Sequence, residues 1–315
     1  VSMGLEEGGA RSPSFLAWRT IVNPEEIDST RENQMASREV VKISDGQATE
    51  DGAGVSLIRY IGSPDLDHID PFLLLDFFQS DNPDDYIAGF PPHPHRGFET
   101  VTYLLAGRVR HEDSTGRSGM LESGGVQWMT AGRGVIHSEM PEQEEGLLAG
   151  FQLWVNLPGR LKMSPPRYRE FSKEEIPKEQ REGGILLRVI AGKTHLGTQS
   201  PVEGVATNPL YLDVSLPGGI TFYEPFKASM SAFVLVVEGR LIFSANDGIS
   251  GVGQGQLALL GSGESVECSA DEGGARFLLV AGEKIDEPIK RHGPFVMNTK
   301  EEIKNAILDF NSGRF

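Results

Sequence analysis

Residues 90–141 read FPPHPHRGFETVTYLLAGRVRHEDSTGRSGMLESGGVQWMTAGRGVIHSEMP. The stretch opens on His93-Pro94-His95 and closes on His137-Ser138-Glu139. Side chains two apart on a β-strand project from the same face, so each short motif offers two ligand-type groups from one side of one strand. If both strands line one cavity, three imidazoles and one carboxylate converge. Such an N/O set suits iron, manganese, nickel or copper better than a thiolate-rich structural zinc site. Four protein ligands leave two positions of an octahedral shell for other groups. Pro94 fits a strand start or edge, because proline gives no hydrogen bond to a ladder.

Outward from this stretch, apolar segments end repeatedly at Gly-rich turns: FETVTYLLAG, RVRHEDS, GMLESGGVQWMTAG, GVIHSEM and LAGFQLWVNLP. Short strands with this punctuation predict an all-β sandwich or small barrel. Upstream, VVKI (40–43) and VSLIRYI (55–61) read as strands and DPFLLLDFF (70–78) as a buried apolar run. The prolines of DNPDDYIAGFPP (81–92) mark a loop. Downstream, residues 158–184 are rich in Pro, Lys, Arg and Glu and read as a bridge.

Beyond that bridge the pattern returns. AFVLVVEGRLIF (232–243) echoes VTYLLAGRVRH (101–111), and LALLGSGESVECSA (257–270) aligns with VQWMTAGRGVIHSE (126–139). In this register Cys268 falls opposite His137 and Ala270 opposite Glu139, while His93 and His95 fall near Pro225 and Lys227. Two similar barrels are expected, only the first with its metal set, so folding itself does not demand those ligands. The chain closes on a predicted helix: Thr299 and Glu302 form a capping box, and Ile303, Ala306, Ile307 and Phe310 make one apolar stripe that ends near Gly313.

The 315 residues suffice for two domains, and 38% hydrophobic with 23% charged residues describes a soluble globular chain. A net charge of -16 disfavours direct DNA or RNA binding and suits a basic protein or a neutral or cationic small molecule. With Cys268 the only cysteine, no intrachain disulfide forms and a reducing compartment is expected. No apolar run reaches membrane-spanning length, and no secretory signal pattern is present. Residues 1–37 read as a polar flexible arm, too acidic for a transit peptide, with Met35 available as a second start.

A lone histidine in a strand is usually a hydrogen-bonder, and His68, His111, His195 and His292 are read that way. The two same-face pairs within one repeat are another matter. Trp128, Trp154, Phe98 and Tyr103 are expected in core or pocket wall.

HPHRGFETVTYLL, GVQWMTAGRGVIHSEMP, FQLWVNLP and the tail HGPFVMNTKEEIKNAILDF together resemble the pirins, a family of bicupin proteins. The resemblance runs from about residue 38 to the C-terminus. It implies two cupin-type β-barrels with a C-terminal amphipathic helix: 38–165 as the metal-binding cupin, 166–184 as linker, and 185–315 as a metal-free cupin plus helix. Pirins bind one iron ion, Fe(II)/Fe(III), through a His-x-His and a His-x-Glu pair, which here fall on His93, His95, His137 and Glu139. Departures are small: Gly124-Gly125 replaces the usual Gly-Asp, and Phe77 stands at a commonly acidic position. The tail and EEIPK (174–178) look more like animal than bacterial pirins.

Two functions follow from the resemblance. One is a dioxygenase that opens the flavonol quercetin with dioxygen, in which Glu139 serves as ligand and base and Gln152 or Arg96 tunes the centre. The other is an iron- and redox-sensing coregulator, nuclear and cytoplasmic, that binds NF-κB-type transcription factors. An acidic chain suits such a basic partner, although no basic import cluster is visible.

Overall fold

A computed structural model describes residues 36–244 and 251–315. The expected arm therefore lies outside the described residues, except for residues 36 and 37. Ser37 bridges Ser265, and the Ala36 carbonyl accepts a hydrogen bond from the Glu264 amide, so both are tied to a sheet. Among the described residues the chain forms 22 strands and one α-helix, in two barrels.

The first barrel has two layers. A seven-stranded sheet runs in the order Arg167–Phe171, Val126–Thr130, Phe98–Ala106, Leu148–Asn156, Phe72–Ser80, Val55–Ile61 and Gln47–Asp51. Facing it, a four-stranded sheet runs Phe90–His95, Val135–Pro141, Arg108–Asp113 and Ser118–Glu122. Strand Phe98–Ala106 is buried at seven successive positions because both faces are covered. Alternation sends Thr102 and Leu104 into the barrel, and Val101 and Tyr103 out against the second one.

That outer face is where the barrels join. Val101, Tyr103, Trp128, Phe151 and Leu153 share one apolar layer with Tyr211, Phe233, Leu235 and Leu278 of the second barrel. Each large side chain so buried stabilises by about 1.5–3 kcal/mol relative to exposure. The Tyr103 hydroxyl donates to Asp213 Oδ2 at 2.6 Å, and Arg276 clamps the same carboxylate from two nitrogens at 3.0 and 2.8 Å. The polar tip of a buried tyrosine is thus satisfied across the junction.

The termini cross between barrels, which the sequence-drawn boundaries miss. Strand Val40–Asp45, inside the expected 38–165 cupin, pairs with Gln256–Leu260 of the second barrel. The expected linker 166–184 contains two sheet strands, Arg167–Phe171 against Val126–Thr130 and Lys178–Gln180 against Leu186–Ala191. Their charged alternation is that of edge strands, which resembles loop composition. At the other end, the Val296 amide donates to the Arg96 carbonyl at 3.0 Å, and Val296 packs with Leu73, Leu74, Phe98 and Trp154 of the first barrel.

The helix Lys300–Asn311 has the expected cap: Thr299 Oγ1 accepts from the Glu302 amide, and the Glu302 carboxylate accepts from the Thr299 amide. Ile303 and Ala306 are buried against Phe295 and Met297, with Ile307 partly covered. Asp309 on this helix pairs with Arg96 at 2.8 Å, so the helix docks on the first barrel.

Candidate metal centre

In the four-stranded sheet, Phe90–His95 pairs antiparallel with Val135–Pro141 so that His93 faces His137 and His95 faces Val135. The register slips between His137 and Glu139, which brings Glu139 opposite Phe90. Such a bulge re-aims one side chain relative to its neighbours. On its other edge Val135–Pro141 pairs with Arg108–Asp113, setting His111 opposite Glu139 and Asp113 opposite His137. Alternation turns His93, His95, His137, Glu139, His111 and Asp113 toward one face of this sheet.

His95, His137 and Glu139 are buried, and His93 is half-buried at the rim. Ligand atoms of His93, His95 and His137 lie within 4.8 Å of one another, as do those of His111, His137 and Glu139. The four expected ligands therefore fall in two overlapping sets that share His137, and His111 joins the second. Sequence reading passed over His111 as a scattered single. Its place depends on a strand pairing that no local spacing encodes, although His111 and Asp113 do stand two apart.

The donors fit a metal ion. His93 Nδ1 lies 2.8 Å from the Pro91 carbonyl and donates to it, which leaves Nε2 as a lone pair aimed at His95 Nε2, 3.1 Å away. Two nitrogens bound at about 2.1 Å and at right angles would stand roughly 3 Å apart. His137 Nε2 is buried without a hydrogen-bond partner, a cost that a bound cation would remove. Burial, and then neighbouring imidazoles, hold His95 and His137 well below the usual histidine range, so both keep neutral, ligating rings.

Glu139 is oriented by neutral donors. Gln152 Nε2 donates to Oε2 at 2.8 Å, Thr102 Oγ1 to Oε1 at 3.1 Å, and Gln127 Nε2 lies 3.5 Å from Oε1. Of the two tuning residues named from sequence, Gln152 thus serves the site directly. Arg96 does not: its guanidinium bonds the Arg133 carbonyl and Asp309 and covers the Phe315 ring at 4.3 Å.

Beside the cluster opens a cavity of about 530 Å³ lined by His93, His95, Gln152, Phe90 and Trp154. Its far wall comes from the tail, where Arg291 lies over the Trp154 ring at 4.8 Å. Trp154 is therefore pocket wall. Phe98, Tyr103 and Trp128 are fully buried core, with Phe98 edge-on to His95 at 5.0 Å. His68 bonds Asp67 at the surface, His292 is exposed, and His195 bonds the buried Glu224 at 3.0 Å.

The second barrel gives an internal control. Cys268 faces Phe222 on one side and Phe243 on the other, and Ala270 faces Leu241. With Cys268 set against His137, the ladder puts Phe222 at the position of His93 and Glu224 at that of His95. The expected Pro225 and Lys227 are three residues too far along, because the repeat alignment took no account of unequal turns. Where the first barrel gathers imidazoles, the second packs Phe222, Phe243, Cys268 and Ala270 into its apolar core, and the buried Glu224 is held by Arg181 and His195.

Comparisons with known proteins agree with this architecture. Residues 54–155 match the Pirin family model, and residues 211–315 match that of the Pirin C-terminal cupin domain. A pirin-like protein of Caulobacter vibrioides is 52% identical over 283 residues, covering 89% of this chain and 100% of that protein. Human pirin is 44% identical over 266 residues, covering 84% of this chain and 89% of that one. A crystal structure of quercetin 2,3-dioxygenase from Acinetobacter baumannii superposes with a TM-score of 0.81 at 34% identity, covering 89% of this chain and 99% of that one. Two cupin barrels, a His/Glu cluster that among the described residues lies in the first, and both domain models in order make this chain a member of the pirin family.

Proposed function

We propose that this chain is an iron-dependent dioxygenase that opens the ring of a flavonol of the quercetin type. The reading is carried by one observation: His93 and His95 line a cavity of about 530 Å³ with an aromatic wall, and their ring nitrogens lie within 4.8 Å of that of His137, beside Glu139. The relation to the Acinetobacter baumannii quercetin 2,3-dioxygenase supports it. Iron held by His93, His95, His137 and Glu139 would supply Lewis acidity to a hydroxyl oxygen and a one-electron couple for dioxygen.

The chain's own residues do the rest. Trp154 and Phe90 offer apolar surface to a flat ring system. Glu139, held by Gln152 and Thr102, accepts the proton of the flavonol 3-hydroxyl. Arg291 places positive charge at the same wall, which favours the deprotonated substrate. Iron-loaded protein should consume dioxygen and bleach the flavonol absorbance, and His137→Ala should abolish both. Equal turnover by that variant would sink the assignment.

The coregulator reading has support in the net charge of -16, which suits a basic, DNA-binding partner. Its test is binding of an NF-κB-type factor to the ferrous and ferric protein. Equal affinity for the two forms would end the switch claim.

A further inference from the structure

His111 and Asp113 sit deep in the first barrel, and neither the ligand set nor the cavity wall accounts for them. His111 is fully buried and the Asp113 side chain nearly so. They stand two apart on Arg108–Asp113 and face Glu139 and His137 across the ladder. His111 Nε2 lies 3.4 Å from Asp113 Oδ2, and His111 Nδ1 lies 3.4 Å from His137 Nδ1. Both are long contacts. Gln127 Nε2 donates to His111 Nδ1 at 3.0 Å, so that nitrogen is an acceptor and the ring proton is on Nε2, facing the carboxylate. Tyr168 stacks on the His111 ring at 4.3 Å and fixes its plane.

We propose that His111 and Asp113 are positioning residues for His137. Asp113 holds His111 in its Nε2–H form, the His111 Nδ1 lone pair is shared between the Gln127 amide and the Nδ1–H of His137, and His137 Nε2 is kept as a bare lone pair. The proposal rests on the reading that His137 is a metal ligand. Ligating histidines are commonly oriented by a partner on the other ring nitrogen, which fixes tautomer and ring and raises basicity. Here that support has two links.

Two observations carry it beyond distance. His137 Nε2 is the one ring nitrogen of His137 left without a partner, and it is the nitrogen the arrangement would free. Asp113 is also fixed in place by three donors on its other oxygen. The Thr115 hydroxyl and amide donate to Asp113 Oδ1 at 2.6 and 2.8 Å and the Arg117 amide at 3.3 Å, which leaves Oδ2 turned to His111. The sister barrel then shows that the fold has no need of the pair. Leu241, opposite Ala270, and Phe243, opposite Cys268, occupy the places of His111 and Asp113. Polarity at these two positions goes with the ligand set and is absent where the ligands are absent.

The test uses the full chain. In the metal-free protein, histidine ¹⁵N shifts should report a proton on Nδ1 of His137 and on Nε2 of His111. The opposite tautomer on His137 would overturn the proposal whether or not the protein turns over flavonol. For the loaded protein, His111→Leu together with Asp113→Phe imports the sister pair and keeps the interior filled. Fe(II) affinity, read by chelator competition, should fall roughly 10–100-fold, and the Fe(III)/Fe(II) midpoint potential should rise. Asp113→Asn removes the charge and replaces the oxygen facing His111 with a donor amide; it should shift the potential the same way by less, so it carries the test if the double variant does not fold. Native-like Asp113→Asn with unchanged affinity and potential, or a hyperfine signature of His111 bound directly to the ion, would overturn it. Wild-type protein that binds no Fe(II) would instead remove the metal reading and leave the tautomer result standing.

Discussion

Gln152 Nε2 lies 2.8 Å from Glu139 Oε2, and the same amide lines the cavity in which a substrate would sit. One side chain thus touches both the candidate base and the space beside it. Gln152→Leu keeps the volume but removes the donor that aims the carboxylate. Turnover is expected to fall roughly 10–100-fold, with iron content nearly unchanged because the three imidazoles remain. Iron analysis beside single-turnover kinetics separates the two effects.

Gly97 is the point where the tail clasps the first barrel. Its φ is +90°, and a Cβ there would lie 1.9 Å from the Val296 carbonyl oxygen. Gly97→Ala must push the tail away, at a cost on the order of 1–3 kcal/mol from backbone strain alone. Because Arg291 and Pro294 of that tail line the cavity, flavonol binding should weaken along with thermal stability. Unaltered flavonol affinity in a destabilised variant would show that the wall is not needed.

Lys162 carries the pH dependence. Its ammonium is buried and donates to the Gly97 carbonyl at 2.7 Å, Asn156 Oδ1 at 2.6 Å and the Val296 carbonyl at 3.0 Å. Burial pulls the group down from 10.5 to about 8, against the pull of Glu287 and Glu302. Between those values the unfolded chain binds more protons than the folded one, so stability rises with pH through that window. Lys162→Met lacks this response. The stability difference between wild type and variant, from urea melts, should move in favour of wild type by an amount on the order of 2–3 kcal/mol from pH 7 to pH 10.5. A difference that stays flat would refute it.

Cys268 should be chemically silent in the native protein. It is buried between Phe222 and Phe243, and burial pushes its thiol well up, so little thiolate exists to react. Thiol reagents should label it only after denaturation. Fast labelling under native conditions would mean that the second barrel opens readily.

The two His/Glu motifs were readable because a two-residue spacing on a strand is local, and burial of both strands turned it into convergence. His111 was not, since its meaning comes from lying opposite Glu139 on a strand 26 residues before His137. The exchange of strand Val40–Asp45 was equally hidden: VVKI declares a strand, but nothing in it names Gln256–Leu260 as the partner. The helix Lys300–Asn311 was legible to its cap, because the capping box and apolar stripe are sequence-local. Its docking face on the first barrel depends on Arg96, a residue that sequence offers equally as a tuner of the metal centre.

The crossed termini make the molecule a mutual handclasp. A cut between the barrels would not release two working halves: the C-terminal piece would lose its outermost N-terminal strand, and the N-terminal piece would surrender the lip that shelters its ligands. Evolution of the second barrel is therefore constrained by the first. Even without chemistry of its own, it must keep the geometry that delivers Arg291 and Val296 to the other side.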